Sequence, residues 1–171
     1  HKTGYAFTQG RADQDVPRDM MLAHLAEIAK AVPDLPVNAD FEDGHARDIA
    51  ALKKNVRRCV DTGVAGLSIE DATGDPSAPI YDFGLAVERV QAAAEAAAGR
   101  PFLLTARAEN FLWDRPDLDD TIRRLQAFSR AGADVLYAPG LPDLVAIRTV
   151  CESVDRPVEF RQSNNACRRF E

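Results

Sequence analysis

The sequence contains few of the residues that mark a metal–thiolate site, a disulfide framework or a membrane span. Its cysteines, Cys59, Cys151 and Cys167, form an odd set without Cys-x-x-Cys spacing, which argues against structural zinc and against disulfides. No run of about 18 apolar residues could span a bilayer, and no charged segment followed by an apolar one resembles a signal peptide. These absences predict a soluble, cytoplasmic protein with no membrane partner.

A basic surface of the kind that binds nucleic acid is also missing. The chain has 27 acidic and 21 basic residues, a formal net charge of −6, and no stripe of basic residues interleaved with aromatic ones. We therefore expect no nucleic-acid partner. With 171 residues, of which 46% are hydrophobic and 28% charged, the composition is that of one globular domain with a single continuous core.

What the sequence does contain is a repeating unit. Short apolar or β-branched runs alternate with segments in which apolar residues recur at helical spacing. The runs occupy residues 36–40, 65–70, 101–107, 133–138 and 157–160. The helical segments occupy residues 18–32, 48–62, 82–98, 118–131 and 144–154. Because parallel strands need a crossover connection, this repetition of strand and helix predicts an α/β fold with a parallel sheet.

Such a parallel sheet can be an open doubly wound sheet or a closed barrel. An open doubly wound sheet usually carries a glycine-rich phosphate loop, and neither G-x-G-x-x-G nor G-x-x-x-x-G-K-[ST] occurs here. The sequence therefore favours a (β/α)8 TIM-barrel type fold, although a complete barrel takes about 250 residues. We expect an incomplete barrel domain, with about five to six βα units, over residues 1–158 and an irregular, non-native tail over 159–171; the alternative is a smaller fold.

Charged side chains follow the predicted strands at their carboxyl ends. These residues are Asp40, Glu42, Glu70, Asp71, Arg107 and Glu109. The active site of a (β/α)8 barrel lies at this face, so the acids should converge at the carboxyl-terminal end of the barrel, which we call the mouth. Repulsion between carboxylates there is costly unless a divalent cation or an arginine neutralises their charge. Oxygen donors without a histidine or cysteine cluster favour Mg²⁺, with Mn²⁺ as a substitute. The fork of Arg107 suits a substrate carboxylate.

A single acid after a strand has a simpler interpretation, as a helix N-cap or a solvated loop residue. We assign this interpretation to Asp43, Asp75 and Asp82, and we expect Asp82 to cap the following helix. It explains acids at successive strand ends less well. For His45, near the expected barrel mouth, lining the pocket and ordinary packing remain open. For Phe111 and Trp113, on the loop after Arg107, the alternatives are a lid over the pocket and ordinary packing, and packing is favoured.

Four segments in order carry a family resemblance. They read PVNADFEDG, GVAGLSIEDATGDPSAPIYD, LLTARAENFLWDRPDLDDTIRRLQAF and AGADVLYAPGLPD. Together they resemble the phosphonomutase-like branch of the isocitrate lyase/phosphoenolpyruvate mutase superfamily, over roughly residues 4–158. The resemblance implies a (β/α)8 barrel that binds Mg²⁺ and acts on α-keto or enol carboxylates such as pyruvate, oxaloacetate and phosphoenolpyruvate. Against that family the chain is expected to be truncated at both ends, and its full-length relatives are expected to be homo-oligomers.

The resemblance also assigns roles to individual residues. Asp40 corresponds to the direct metal ligand, and Arg107 to the residue that contacts the substrate carboxylate. Arg107 and Glu70 form the expected catalytic pair. The acids expected to reach the metal mainly through water are Glu42, Glu70 and Asp13. The residues that resemble a turn whose backbone N–H groups hold substrate oxygens are Thr3, Gly4 and Tyr5.

One loop departs from the family pattern. Isocitrate and methylisocitrate lyases carry a catalytic cysteine in the loop after the Glu70 strand, whereas residues 72–81 contain no Cys, Lys or His. The departure argues against those two activities and against a mutase with a lysine-rich gating loop. We expect a Mg²⁺-dependent lyase-type enzyme that cleaves a C–C bond in, decarboxylates or hydrolyses a small keto or enol acid through a pyruvate-type enolate. The alternatives are an inactive truncated fragment and a phosphonomutase acting on a P–C bond.

Overall fold

A computed structural model describes residues 2–12 and 15–160. In that part of the chain the helices are α1 (Lys2–Thr8), α2 (Arg18–Ala31), α3 (Ile49–Val60), α4 (Phe83–Ala97), α5 (Leu118–Arg130) and α6 (Leu144–Ser153). The strands are β1 (Asn38–Asp40), β2 (Gly66–Glu70), β3 (Leu103–Arg107), β4 (Val135–Tyr137) and β5 (Val158–Glu159). Every predicted strand and helix is present, with shifts of a few residues at the ends. Asp13 and most of the predicted tail lie outside the described residues.

The strands form one parallel sheet in the order β1-β2-β3-β4-β5. Each new strand is added beside the previous one, whereas a doubly wound sheet reverses its strand order at a switch point. The observed order is the one that a (β/α)8 barrel requires, and the α/β prediction is confirmed. Because Glu70 pairs with Arg107, and Arg107 with Tyr137, the carboxyl ends of β2, β3 and β4 lie at one edge.

Side chains alternate between the two faces of the sheet, as strand geometry requires. The strand residues buried in the hydrophobic core are Leu67, Ile69, Leu104, Ala106 and Leu136. They share this core with helix residues that include Leu52, Val56, Val90, Leu125 and Phe128. The intervening positions are mostly polar and include Ser68, Glu70, Thr105, Arg107 and Tyr137. The apolar face therefore holds the helices, and the opposite face carries the polar residues.

Aspartates fix the start of most helices that follow strands. Their side-chain oxygens accept hydrogen bonds from backbone N–H groups of the first turn, and the aspartates are Asp48, Asp82, Asp117 and Asp143. The predicted capping role of Asp82 is confirmed, since it accepts from the N–H of Gly84 at 3.0 Å. Each such cap is worth about 1 kcal/mol. Within the described residues, no helix combines the length and the apolar composition that a membrane span needs.

Gly44, in the loop between β1 and α3, is a position where glycine is required twice over. Its φ is +76°, and a Cβ there would overlap Cδ1 of the fully buried Leu52. Gly44→Ala should therefore strain the backbone and displace Leu52 in the core. Together these effects should lower the free energy of unfolding by roughly 3 kcal/mol. Gly74 is the matched control, because its φ is +72° but a Cβ there would meet no atom within 4 Å. Urea unfolding should show a cost of about 1 kcal/mol for Gly74→Ala, and equal costs would contradict the packing argument.

Candidate active site

Arg107, the last residue of β3, lies at the centre of the mouth, the edge of the sheet where the strands have their carboxyl ends. Its Nε donates to Oε1 of Glu109 at 2.7 Å. Its Nη1 lies 3.8 Å from Oδ1 of Asp40, and its Nη2 lies 3.5 Å from Oε2 of Glu70. Arg107 also lies over the ring of Tyr137, with Cζ 5.1 Å from the centroid. The ends of β1, β2 and β3 thus bring three acids around one guanidinium, and the predicted convergence of Asp40, Glu70 and Arg107 is present.

The electrostatics of the mouth follow from its partial burial. Burial disfavours the charged guanidinium of Arg107, but the charges of Glu109, Glu70 and Asp40 outweigh it, so the pKa of Arg107 is raised. Burial also raises the pKa of Glu109, whose side chain is 2% exposed, while Arg107 opposes that shift. Arg107 therefore stays charged at any physiological pH. The mouth therefore holds a positive charge among carboxylates.

Glu42 is brought beside Glu70 by the backbone. The N–H of Glu70 donates to the carbonyl oxygen of Glu42 at 2.9 Å, which ties the loop after β1 to the end of β2. Oε2 of Glu42 lies 3.8 Å from Nδ1 of His45. Both residues have a φ of +51°, an uncommon conformation for side chains of this kind. The loop thus presents Glu42 and His45 at the same mouth as Glu70.

A second ionic network lies directly behind Glu109. Oδ1 of Asp71 accepts from the backbone N–H of Glu109 at 2.8 Å, and Oδ2 accepts from Nη1 of Arg124 at 3.0 Å. Arg124 donates through Nε to Oδ2 of Asp120 at 2.7 Å, and Asn110 donates to the same oxygen at 2.9 Å. All but Asp120 are at most 5% exposed. The network joins the end of β2, the segment after β3 and helix α5, and so fixes the residue that holds Arg107.

Sequence reasoning placed Asp71 and Glu109 at strand ends but did not give them these roles, and it missed Arg124. The only sequence signal for Arg124 is its i, i+4 spacing from Asp120 on a helix. Such spacing usually indicates a surface ion pair rather than a buried one. The inward reach of Arg124 to Asp71, 53 residues earlier in the chain, depends on tertiary packing.

The burial of Asp71 predicts a pH dependence of stability. Desolvation raises the pKa of Asp71 from 3.8 to about 6, although the N–H of Glu109 and the charge of Arg124 oppose the shift. Between these values the folded chain binds more protons than the unfolded chain, so the stability that this group contributes is present below pH 3.8 and lost as the pH rises through 6. Between about pH 4 and 7 the loss should be about 2 kcal/mol.

Urea unfolding of the wild type and of Asp71→Asn at these two pH values measures this effect. The variant lacks the titrating group, so the wild-type free energy of unfolding minus that of the variant should fall by about 2 kcal/mol from the lower to the higher pH. Titration of other groups cancels in the difference. A difference that stays constant or grows with pH would contradict the assigned shift.

A cavity of about 500 Å³ lies next to the acidic mouth. It is lined by Glu42, Asp43, His45, Ala46, Arg47, Glu70, Ala72, Thr73, Gly74 and Trp113. His45 and Trp113 therefore line the cavity, and His45 also packs edge-on against the ring of Phe41, with centroids 5.0 Å apart. The loop after β2 forms one wall and is closed on itself, since Oγ1 of Thr73 donates to the carbonyl of Ala78 at 2.6 Å. The cavity is large enough for a small carboxylic acid.

The segment Thr3, Gly4 and Tyr5, for which a turn was predicted, lies in the first turn of helix α1 instead. Its role in holding substrate oxygens stays a prediction. The ring of Tyr5 stacks on that of His24, with centroids 3.6 Å apart, and Ala6 is fully buried. Packing of α1 against α2 thus decides the conformation of this segment. Asp13, a predicted metal-contacting acid, lies outside the described residues.

The oxygen donors at the mouth fit a hard divalent ion. Within residues 2–12 and 15–160, no group of three or more His, Cys, Asp or Glu side chains is arranged to hold a metal ion by itself. Mg²⁺ does not need such a group, because it retains several waters and takes one or two carboxylates. Asp40 and Glu70 flank Arg107, and the Asp40 side chain is 52% exposed. They suit Mg²⁺ better than zinc, which prefers nitrogen and sulfur ligands.

Fold and mouth together define a class: a barrel-type α/β protein with an arginine and carboxylates at the carboxyl ends of its strands. The sequence model of the family described as phosphoenolpyruvate phosphomutase matches residues 2–169. The chain belongs to this family, which confirms the resemblance to the isocitrate lyase/phosphoenolpyruvate mutase superfamily. The fold is of the (β/α)8 barrel type, and the described part of the chain contributes five of its strands.

Named relatives of the chain include a lyase and a decarboxylase. The chain is 29% identical to 2-methylisocitrate lyase of Escherichia coli K12 over 133 residues, which are 74% of this chain and 44% of the relative. It is 28% identical to oxaloacetate decarboxylase of Bradyrhizobium diazoefficiens over 151 residues, which are 82% of this chain and 51% of the relative. The chain thus spans about half the length of these curated relatives.

A solved structure agrees with this placement. A protein of Burkholderia cenocepacia J2315 described as a lyase/mutase is 46% identical and superposes with a TM-score of 0.89. The match covers 95% of this chain and 59% of the Burkholderia protein.

Proposed function

We propose that the chain carries the catalytic mouth of a Mg²⁺-dependent lyase-type enzyme that acts on a small α-keto or enol carboxylic acid. The observation that supports the proposal most is that the guanidinium of Arg107 reaches both Asp40 and Glu70, which end the two strands that precede β3 in the sheet order. Few structural roles need a charged cluster at this edge of a barrel sheet, whereas catalytic sites of such barrels lie there. The names of the relatives, 2-methylisocitrate lyase and oxaloacetate decarboxylase, support a carboxylic acid substrate.

Arg107 is the group that binds the substrate carboxylate in this proposal. Its Nε is held by Glu109 at 2.7 Å, so the orientation of the guanidinium plane is fixed in advance. Its Nη1 and Nη2 lie 3.8 and 3.5 Å from the neighbouring acids, which is longer than an ordinary hydrogen bond. We infer that a substrate carboxylate displaces these longer contacts and accepts two parallel hydrogen bonds from Nη1 and Nη2.

The carboxylates complete the site. Asp40 would hold Mg²⁺ directly, with Glu70 and Glu42 reaching it mainly through water. When bound, the ion supplies electrophilic stabilisation of a developing enolate oxygen.

The loop 72–81 favours decarboxylation within this reaction class. It contains no Cys, Lys or His and so lacks the residue types most often used to return a proton to a cleaved fragment. Loss of CO₂ from a β-keto acid needs no base to remove a hydroxyl proton. The enolate that it leaves needs charge stabilisation, and solvent can supply the proton that the enolate carbon takes up to give pyruvate. Cleavage of a C–C bond in a hydroxy acid remains the second candidate, because His45 at the cavity wall could carry the proton.

The test is pyruvate release from oxaloacetate and from an alkylmalate by the purified chain, with Mg²⁺ and with EDTA. Mg²⁺ alone promotes loss of CO₂ from oxaloacetate, so the protein-free metal and the Glu70→Gln variant serve as controls. We expect turnover of oxaloacetate above both controls, abolished by EDTA. A wild-type rate equal to the protein-free rate for both substrates would overturn the proposal and leave the inactive-fragment interpretation.

A further inference from the structure

The loop between β1 and α3, residues 41–48, has an unusual backbone. Glu42, Gly44 and His45 have φ values of +51°, +76° and +51°. A non-glycine residue adopts such a conformation only where its surroundings hold it there. Glu42 is one of the acids at the mouth, and His45 lines the adjoining cavity. The contacts that hold this loop therefore bear on the site itself.

Two buried side chains from neighbouring helices hold the loop. Arg89 of α4 donates to the carbonyl oxygens of Ala46 at 2.7 Å, of Arg47 at 3.0 Å and of Asp43. Asn55 of α3 donates through Nδ2 to the carbonyl oxygens of Gly44 at 2.9 Å and of His45 at 3.1 Å. Five consecutive carbonyl groups, from residue 43 to residue 47, are thus bound by Arg89 and Asn55, which we call the carbonyl clamp.

The clamp is built at the cost of burying a guanidinium. Arg89 is 2% exposed and Asn55 is 1% exposed. The nearest carboxylate oxygen to Arg89, Oδ2 of Asp43, is 3.9 Å away, and the guanidinium lies 4.3 Å over the ring of Tyr81. Its charge is therefore compensated mainly by carbonyl dipoles and a ring face. An apolar side chain would fill the same space in the core at a lower free-energy cost. The buried charge of Arg89 is therefore explained by its hydrogen bonds to the loop carbonyl groups.

We propose that Arg89 and Asn55 are positioning residues of the metal site, which act by fixing the backbone that carries Glu42. The loop is also tied to β2, because the N–H of Glu70 donates to the carbonyl of Glu42 at 2.9 Å. The clamp holds the carbonyl groups that follow Glu42 in the chain, so its release would leave the backbone of Glu42 held from the β2 side alone. The inference rests on the proposed Mg²⁺ site, and it concerns residues that do not touch the metal.

The test uses Arg89→Lys, which keeps a positive charge but replaces the planar fork with a single ammonium. Isothermal titration with Mg²⁺ alone measures metal affinity, and hydrogen exchange measures protection of the amides in residues 41–48. We expect Mg²⁺ affinity to fall about tenfold and amide exchange in the loop to rise about tenfold. Asn55→Ala is the second variant if Arg89→Lys does not fold.

Val90→Ala is the matched control, since Val90 is the next residue on α4, is 4% exposed and packs in the core. It should lower stability but leave Mg²⁺ affinity within about twofold. Loop exchange that rises in Arg89→Lys with wild-type Mg²⁺ affinity would overturn the positioning role, and so would unchanged loop exchange. If the wild type did not bind Mg²⁺, the proposed function would be contradicted together with the positioning role. This outcome differs from a wild type that binds Mg²⁺ and an Arg89→Lys variant that binds it equally well, which contradicts the positioning role alone.

Discussion

Replacement of Arg124 by methionine should lower the free energy of unfolding by about 4 kcal/mol. Arg124 is 5% exposed and binds Asp71, Asp120 and the carbonyl oxygen of Tyr81. Removal of one partner of a buried ion pair leaves the other charge without compensation, which costs far more than the pair itself contributes. Asp71, 4% exposed, would then have to be protonated or rehydrated in the core.

Urea or guanidinium unfolding of Arg124→Met measures this loss, and the neighbouring Arg123 provides the control. Arg123 also pairs with Asp120, but its side chain is 63% exposed, and exposed ion pairs contribute only about 0–1 kcal/mol. Arg123→Met should therefore cost less than 1 kcal/mol, roughly. If the two variants lost similar stability, the network around Asp71 would not be a buried constraint.

Replacement of Arg107 by glutamine should lower kcat/KM for pyruvate release about 1,000-fold. The variant loses the fixed fork for the substrate carboxylate, and it leaves Glu109, Glu70 and Asp40 without the cation that balances them. Both changes disfavour an anionic substrate and an anionic enolate. The same variant should bind oxalate at least about tenfold more weakly in the presence of Mg²⁺, which gives a readout that does not depend on turnover.

Arg100→Gln is the control for this variant. Arg100 precedes β3, whereas Arg107 ends it, and Arg100 makes an exposed ion pair with Asp61. Its removal changes the net charge equally but at the opposite end of the strand, so activity should stay within about twofold. A kcat/KM for Arg107→Gln within tenfold of the wild type would show that this arginine does not bind substrate.

The part of the site that depends on strand order was accessible from the sequence. Asp40, Glu70 and Arg107 each end a strand that periodicity identifies, and parallel pairing brings such ends together without further information. The register confirms this directly, because Glu70 and Arg107 are partners across β2 and β3. The parallel sheet follows from the same repetition of strand and helix, whereas the barrel type was favoured by the absence of a glycine-rich phosphate loop.

The supporting contacts were not accessible in this way. Arg89 reaches carbonyl groups more than 40 residues earlier in the chain, and Arg124 reaches Asp71 across 53 residues. Such contacts depend on how helices α4 and α5 pack on the sheet, and periodicity says only which face of a helix is buried. The left-handed conformations of Glu42 and His45 are likewise imposed by tertiary contacts against local preference.

The turn expected at Thr3, Gly4 and Tyr5 failed for a related reason. The expectation came from a family motif alone, without support from the periodicity of the local sequence. In this chain Ala6 is fully buried and Tyr5 stacks on His24, so packing against α2 favours a helix despite the glycine. The domain limits, the assembly and the localisation of the protein stay predictions.

Thermal unfolding with Mg²⁺ and oxalate tests the central claim most directly, because a ligand that binds only the folded chain must raise the unfolding midpoint. At 100 times the dissociation constant the midpoint of the wild type should rise by about 5–10 °C, with a much smaller rise when either compound is omitted or when Glu70 is replaced by glutamine. The same midpoint with and without the two compounds, or an equal rise in Glu70→Gln, would contradict a metal-assisted carboxylate site at this mouth.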